Sequence, residues 1–183
     1  MLLNRGTQII ETERLILRKF VIEDAKCFYT NVGSDIEVTK YVVWNVHKDV
    51  DVTKRAIARW IEEYENPNTY YWAIELKESS EVIGSISCVR VDTKNKTCEM
   101  GYVLSSKVWN KGYATETLSA VIKYLQEEGF KTIYGEHLKS NPASGKVMKK
   151  CGMQYEGTLR NRMIDKITGE YDDLLSYSII TNE

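Results

Sequence analysis

A chain of 183 residues is long enough to bury a sizeable apolar core but short for two independent ones, so it reads as a single domain spanning 1–183. Hydrophobic residues at 43% and charged residues at 28% exclude intrinsic disorder, and a formal net charge of -1 excludes the basic excess of a nucleic-acid binder. No apolar run approaches the ~20 residues that cross a bilayer, and the opening MLLNRGTQ lacks the apolar core of a secretory leader, which points to the cytoplasm and away from a membrane partner.

Four cysteines, Cys27, Cys88, Cys98 and Cys151, are scattered without C-x-x-C spacing, and two histidines, His47 and His137, are too few for a metal cluster. The cysteines read as reduced packing residues, the histidines have no assigned role, and no metal site is expected.

Arg14 to Phe20 alternates with apolar side chains on both faces, as a strand does, and meets Ile22-Glu23-Asp24-Ala25, a helix start with acids in its first turn. Val52, Ala56, Ile57, Trp60, Ile61 and Tyr64 recur at helical spacing from Asp51 onward and stop before Pro67. Three strand-like runs follow, Tyr70 to Leu76, Val82 to Val91 and Lys96 to Leu104; the short polar turns between them predict an antiparallel meander.

Leu118, Val121, Ile122 and Leu125 mark a helix from about Tyr113 to Glu128, with Gly129 as its stop. Lys131 to Leu138 reads as a strand and Pro142 to Cys151 as a short helix. Met153 to Met163 and Tyr171 to Ile180 form a closing hairpin around Asp165-Lys166-Ile167-Thr168-Gly169. The order β-α-α-β-β-β-α-β-α-β-β makes the class α+β with a mixed sheet.

The chemistry concentrates where the third strand of the meander enters the long helix, through Trp109-Asn110-Lys111-Gly112-Tyr113-Ala114-Thr115. The first N–H groups of a helix lack intrahelical partners and carry about half a positive charge, so they hold phosphate oxygens. Gly112 admits close backbone approach, Ala114 keeps the first turn uncluttered, and Lys111 can add a point charge.

Trp109-x-x-Gly112-x-Ala114 resembles the Q/R-x-x-G-x-G/A signature of the GNAT superfamily of acetyl-CoA-dependent N-acetyltransferases, with Trp109 in place of the usual Gln or Arg. The fuller string WNKGYATE, the segment Thr12-Glu-Arg-Leu-Ile-Leu-Arg18 followed by Glu23-Asp24-Ala25, and Asn141-Pro-Ala-Ser-Gly-Lys-Val-Met-Lys-Lys-Cys-Gly-Met153 are similar to its RimJ/RimL-like branch. The resemblance implies a mostly antiparallel sheet of about seven strands flanked by helices and splayed between its fourth and fifth strands. Acetyl-CoA would lie in that split, its pantetheine arm pairing with the backbone of Tyr102, Val103 and Leu104 and its diphosphate resting on residues 109–115.

Amine acetylation needs a proton acceptor and help for the departing thiolate. Glu99, two residues before Gly101, stands where many family members carry a catalytic carboxylate, and a solvated or Lys-paired Glu is the plain alternative. Asn141 suits a helix N-cap and Pro142 the first helical position. The resemblance implies that Asn141 contacts the cofactor and that the Ser144 hydroxyl lies near its sulfur, able to give a hydrogen bond to the leaving thiolate. Met148 falls where many members place a tyrosine acid, which puts that route in doubt. Lys146, Lys149 and Lys150 form a basic patch that reads as a solvated helix face, with reach to a CoA phosphate as the alternative.

The expected activity is transfer of acetyl to a primary amine, by branch resemblance the N-terminal amine of a ribosomal protein, with a polyamine, aminoglycoside or other small amine as alternatives. A non-catalytic acyl-CoA-binding module is the second class of reading. Homodimers are common in the family. Residues 31–47 and the closing hairpin should shape the acceptor pocket, but carry no motif that identifies the acceptor.

Overall fold

The computed structural model describes residues 2–181. Among the described residues five helices flank one sheet. Strands β1 (Ile10–Glu11) and β2 (Leu15–Arg18) precede α1 (Asp24–Phe28), a π-helical turn at Tyr29–Gly33, α2 (Ile36–Thr39) and α3 (Val50–Glu63). The meander β3 (Tyr71–Leu76), β4 (Val82–Asp92) and β5 (Thr97–Leu104) leads through a single 3-10 turn into α4 (Tyr113–Glu128). Then follow β6 (Thr132–Leu138), α5 (Pro142–Lys150), β7 (Gln154–Ile164) and β8 (Tyr171–Ile180).

The sheet has eight strands in the order β1-β2-β3-β4-β5-β6-β8-β7. Among the described residues only the β5–β6 pair is parallel, because α4 carries the chain back over the sheet between them; the other neighbours are joined antiparallel. The expected seven strands become eight because Ile10 and Glu11 pair with Leu17 and Ile16, a two-residue strand too short to leave an alternation pattern. The split expected between the fourth and fifth strands therefore belongs to β5 and β6. The four-residue α2 is likewise an addition, started by Asp35, whose carboxylate accepts from Glu37 N–H at 2.9 Å.

Alternation along the strands loads both faces. Leu15, Leu17, Trp72, Ile74, Ile86, Cys98 and Met100 meet Leu118, Val121 and Leu125 of α4, all buried. On the opposite face Phe20, Phe28, Val32, Ile57, Ala73 and Val82 close a second core under α1 and α3, with Trp60 and Tyr71 packed against Phe20. Burying such a side chain is worth about 1.5–3 kcal/mol, so each helix is held chiefly by its apolar stripe. Trp72 lies wholly in the first core, under α4, and Trp60 joins the aromatic cluster of the second. Cys88 stands opposite Met100 across the β4–β5 ladder, and all four cysteines are free. Among the described residues, no helix is long and apolar enough to cross a membrane.

The β5–β6 ladder starts at Thr97 and Thr132 and ends at Met100 and Gly135. Beyond it β5 stays paired with β4 as far as Leu104, and β6 with β8 as far as Leu138, so the two strands part. Close packing at two points holds them apart. A Cβ at Gly84 would stand 2.2 Å from the Val103 carbonyl oxygen, so only glycine lets β4 draw the end of β5 to itself. The buried Met148 of α5 sits against Gly135 and fills the floor where the strands diverge.

Candidate functional site

The Ser105 N–H donates to the Ile83 carbonyl at 2.8 Å, which fixes the side that each backbone group of β5 takes. By alternation Gly101 and Val103 face β4, and Tyr102 and Leu104 turn their N–H and C=O groups into the split. One of these is already engaged: the Trp109 indole N–H donates to the Leu104 carbonyl at 2.9 Å. The Tyr102 amide groups and the Leu104 N–H are left along an open strand edge, where an extended ligand bearing amides can pair.

The turn into α4 is tight and ends in a helix start without a side-chain cap. Asn110 (φ 61°) and Gly112 (φ 85°) are both left-handed and bend the chain twice within three positions. Gly112 is the N-cap of α4 and no side chain caps the helix there. By contrast Asp49 caps α3 and Asn141 caps α5 through their side chains. The bare amides at Tyr113, Ala114 and Thr115 are therefore a property of this one long helix.

An acid, Glu116, sits in the first turn of α4, where it would repel a phosphate. It is neutralised from the far end of the sheet. Arg14 Nε donates to Glu116 Oε2 at 2.7 Å, the Arg14 N–H to Oε1 at 3.0 Å, and the Thr12 hydroxyl to Oε1 at 2.6 Å. Arg14 Nη1 also donates to the Lys111 carbonyl at 3.0 Å, and the guanidinium stacks on Tyr113 at 4.1 Å. Burial alone would lift the Glu116 pKa, but the hydrogen bonds from Thr12 and Arg14 outweigh it and hold the carboxyl below its ordinary value.

Ser144 and Asn141 stand at the start of α5, across the split from Tyr102. Asn141 Oδ1 accepts from Ser144 N–H at 3.4 Å, the predicted cap. The Tyr102 hydroxyl lies 2.8 Å from Ser144 Oγ and donates to the Ser144 carbonyl at 3.1 Å. Met148, one turn further on, is buried and can give no proton. Lys149 and Lys150 are exposed in the last turn, with Lys149 over the Tyr177 ring at 5.7 Å.

Glu99 points to the opposite face of the sheet from Tyr102, and Arg90 Nη1 lies 3.5 Å from its Oε2. The Tyr134 hydroxyl donates to the same oxygen at 3.4 Å. The ladder pairs Glu99 with Tyr134, and two residues beyond Tyr134 on the same face comes Glu136, just past the point of divergence. Glu136 is half-buried, with no hydrogen bond or salt bridge to another described residue, and burial followed by the charge of Glu99 pushes its carboxyl above the ordinary value. The sequence signal for Glu136 was only strand parity, which gains meaning once β6 is known to run beside β5.

The two segments expected to shape the acceptor side touch each other. Lys166 in the closing hairpin donates to the Trp44 carbonyl at 2.7 Å, and Trp44 packs on His47 with ring centroids 5.0 Å apart. His47 Nδ1 is 2.7 Å from the Thr53 hydroxyl. Ser106 is hydrogen-bonded to Asp35, and Lys107 donates to Asn31 Oδ1 at 3.1 Å, so the turn before Trp109 is tied to the same loop. His137 lies against Gly145 of α5, its Nδ1 is 2.7 Å from the Leu138 carbonyl, and its ring stacks on Tyr177.

A strand edge with unpaired amides that leads to an uncapped helix N-terminus fits a ligand with amides along its length and a diphosphate at one end. A family model described as Acetyltransferase (GNAT) domain matches residues 14–154. The protein named Uncharacterized N-acetyltransferase YoaA from Bacillus subtilis (strain 168) is 31% identical over 173 residues, 94% of this chain and 96% of that one. The Ribosomal-protein-serine acetyltransferase of Escherichia coli (strain K12) is 30% identical over 104 residues, 56% of this chain and 57% of that one. The crystal structure of an acetyltransferase (GNAT family) from Bacillus anthracis superposes with a TM-score of 0.82 at 28% identity, covering 96% of this chain and 100% of that one. With the split sheet, the bare helix start and a family match that runs from Arg14 through α5, the chain belongs to the GNAT acetyltransferases, enzymes that take an acetyl group from acetyl-CoA and place it on an amine.

Proposed function

We propose that the acceptor is the α-amine at the N-terminus of a protein, a ribosomal protein by analogy with the Escherichia coli relative, and that the enzyme works in the cytoplasm. The observation that carries the reading is the state of Glu99, whose carboxylate is already shared with Arg90 and Tyr134. With Arg90 and Tyr134 both on Oε2, chiefly the other oxygen is left to take a proton, which suits an amine that arrives already neutral. A free α-amine has a pKa of about 7.7–8.0 and is partly neutral near pH 7, whereas a lysine side chain near 10.4 is almost wholly charged.

Acetyl-CoA supplies a thioester whose C–S bond breaks, sulfur keeping the electron pair, as the amine nitrogen forms its bond to the acetyl carbon. In this reading the backbone of Tyr102 and the Leu104 N–H hold the pantetheine arm. The amides of residues 110–115, with Lys111 beside them, hold the diphosphate. Val103 contributes its place in the strand, since its own amide groups face β4. Asn141 directs its free amide N–H groups toward the cofactor. Glu99 accepts the proton leaving the amine, through a water, and Ser144 Oγ–H donates to the sulfur as it gains charge.

The test follows free CoA against a no-amine blank, with peptides bearing free N-termini beside lysine side-chain models, polyamines and aminoglycosides. Turnover of free-N-terminus peptides at least tenfold above the same peptides blocked at the terminus supports the reading. Faster turnover of a polyamine or aminoglycoside overturns it.

A further inference from the structure

We propose that Tyr102 is a positioning residue for the transfer step, whose phenol orients the Ser144 hydroxyl so that its hydrogen is delivered to the sulfur in the split. The proposal rests on the role given to Ser144 above and adds a side chain to a position that sequence reasoning valued only for its backbone.

Tyr102 stands on the part of β5 that has left β6, and its side chain crosses to the first turn of α5. Its hydroxyl is within hydrogen-bond distance of two Ser144 oxygens, Oγ at 2.8 Å and the carbonyl at 3.1 Å, but it has a single hydrogen to give. The pair therefore has two arrangements. With the Tyr102 hydrogen on the Ser144 carbonyl, its oxygen accepts from Ser144 Oγ–H, and the serine hydrogen is directed at the phenol. With the Tyr102 hydrogen on Oγ, the serine hydrogen is released to point elsewhere.

Negative charge growing on a sulfur beside Ser144 favours the second arrangement. The chain Tyr102 O–H to Ser144 Oγ–H to sulfur is then continuous, and each bond polarises the next. No proton leaves Tyr102: burial lifts its pKa to about 12, so the phenol stays intact while it donates. Buried Met148 lines the same floor with apolar surface, which strengthens a polar chain running beside it. The bond matters more after charge has formed on sulfur than before, so its loss should appear in kcat rather than in acetyl-CoA binding.

The experiment compares Tyr102→Phe, Ser144→Ala and the double variant with the best amine from the panel, saturating in acetyl-CoA and with chemistry rate-limiting. Tyr102→Phe is expected to lower kcat about 3- to 10-fold, the worth of one net hydrogen bond, with the KM for acetyl-CoA within twofold. In the Ser144→Ala background the Phe substitution should have no further effect, because there is no hydroxyl left to orient.

If Ser144→Ala lowers kcat and the two effects multiply, Tyr102 acts independently and the proposal fails while the role of Ser144 stands. If Ser144→Ala leaves kcat unchanged, the role of Ser144 fails and the proposal with it. Should Tyr102→Phe unfold, 3-fluorotyrosine at position 102 replaces it. This near-isosteric, more acidic phenol is a better donor, so kcat should hold or rise, and a fall below one third of the parent value refutes the proposal.

Discussion

Arg14 and Glu116, more than a hundred positions apart in the chain, are joined by a two-point contact from the Arg14 Nε and backbone N–H to the two carboxylate oxygens, at 2.7 and 3.0 Å. The same guanidinium reaches the Lys111 carbonyl at 3.0 Å, so the start of β2 braces the turn that enters α4. Two stretches that resemble the family separately, TERLILR and WNKGYATE, are two sides of one contact.

Arg14→Ala should therefore act on cofactor binding first. It leaves the Glu116 charge uncompensated next to the helix start, and hydrogen bonds to charged groups are worth about 1.5–3 kcal/mol. Acetyl-CoA affinity, measured by calorimetry at neutral pH, should fall at least about tenfold. Because the Glu116 carboxyl is held below its ordinary 4.5, its stabilising contribution is fully present above that value and is lost as pH falls through the lowered one. Glu116→Gln should flatten the acid limb of a stability–pH curve; an unaltered limb would show that other carboxylates set it.

Gly112→Ala tests the turn itself. A residue with a Cβ at φ 85° costs about 1–2 kcal/mol, and the added methyl would come 3.5 Å from Arg14 Nη2. The expected result is a melting temperature lower by roughly 2–8 °C together with weaker acetyl-CoA binding. Unchanged binding with lowered stability would separate the turn from the cofactor.

Gly84→Ala tests what holds the strands apart. A methyl there meets the Val103 oxygen at 2.2 Å, so β4 and β5 must separate. A loss of about 3 kcal/mol, roughly 6–12 °C in melting temperature, is expected, and any folded fraction should bind acetyl-CoA poorly because the end of β5 has moved. Thermal unfolding and calorimetry on one preparation read both effects.

Glu136→Gln should behave in the opposite sense. The groups acting on Glu136 are Glu99, which raises its pKa, and Arg162 and Arg90, which lower it, with burial as the largest influence upward. A carboxyl whose folded pKa is raised opposes folding at neutral pH and ceases to do so as pH falls below its unfolded value. The substitution should raise the melting temperature at pH 7 and make little difference near pH 4. A drop at pH 7 would mean that the carboxylate has a stabilising partner.

Much of this is legible in the sequence because the signals are local. The stripe Leu118, Val121, Ile122, Leu125 with Gly129 behind it specifies α4 through helical periodicity and a left-handed stop at φ 99°. Asn141-Pro142 specifies the start of α5, and the short polar turns specify the meander. Strand β1 and helix α2 were not legible, since two and four residues are too few for a period to show.

By itself the sequence determined the order of the elements, the apolar face of each, and a helix start left bare for an anion, since dihedral preference, side-chain periodicity and missing caps act within a few residues of the chain. Tertiary structure alone decided which of those elements touch. Arg14 comes to Glu116, Tyr102 to Ser144 and Lys166 to Trp44, and β6 leaves β5 just where Glu136 begins to face the gap. Such contacts depend on how the whole sheet packs under its helices, and no short stretch of residues contains that information.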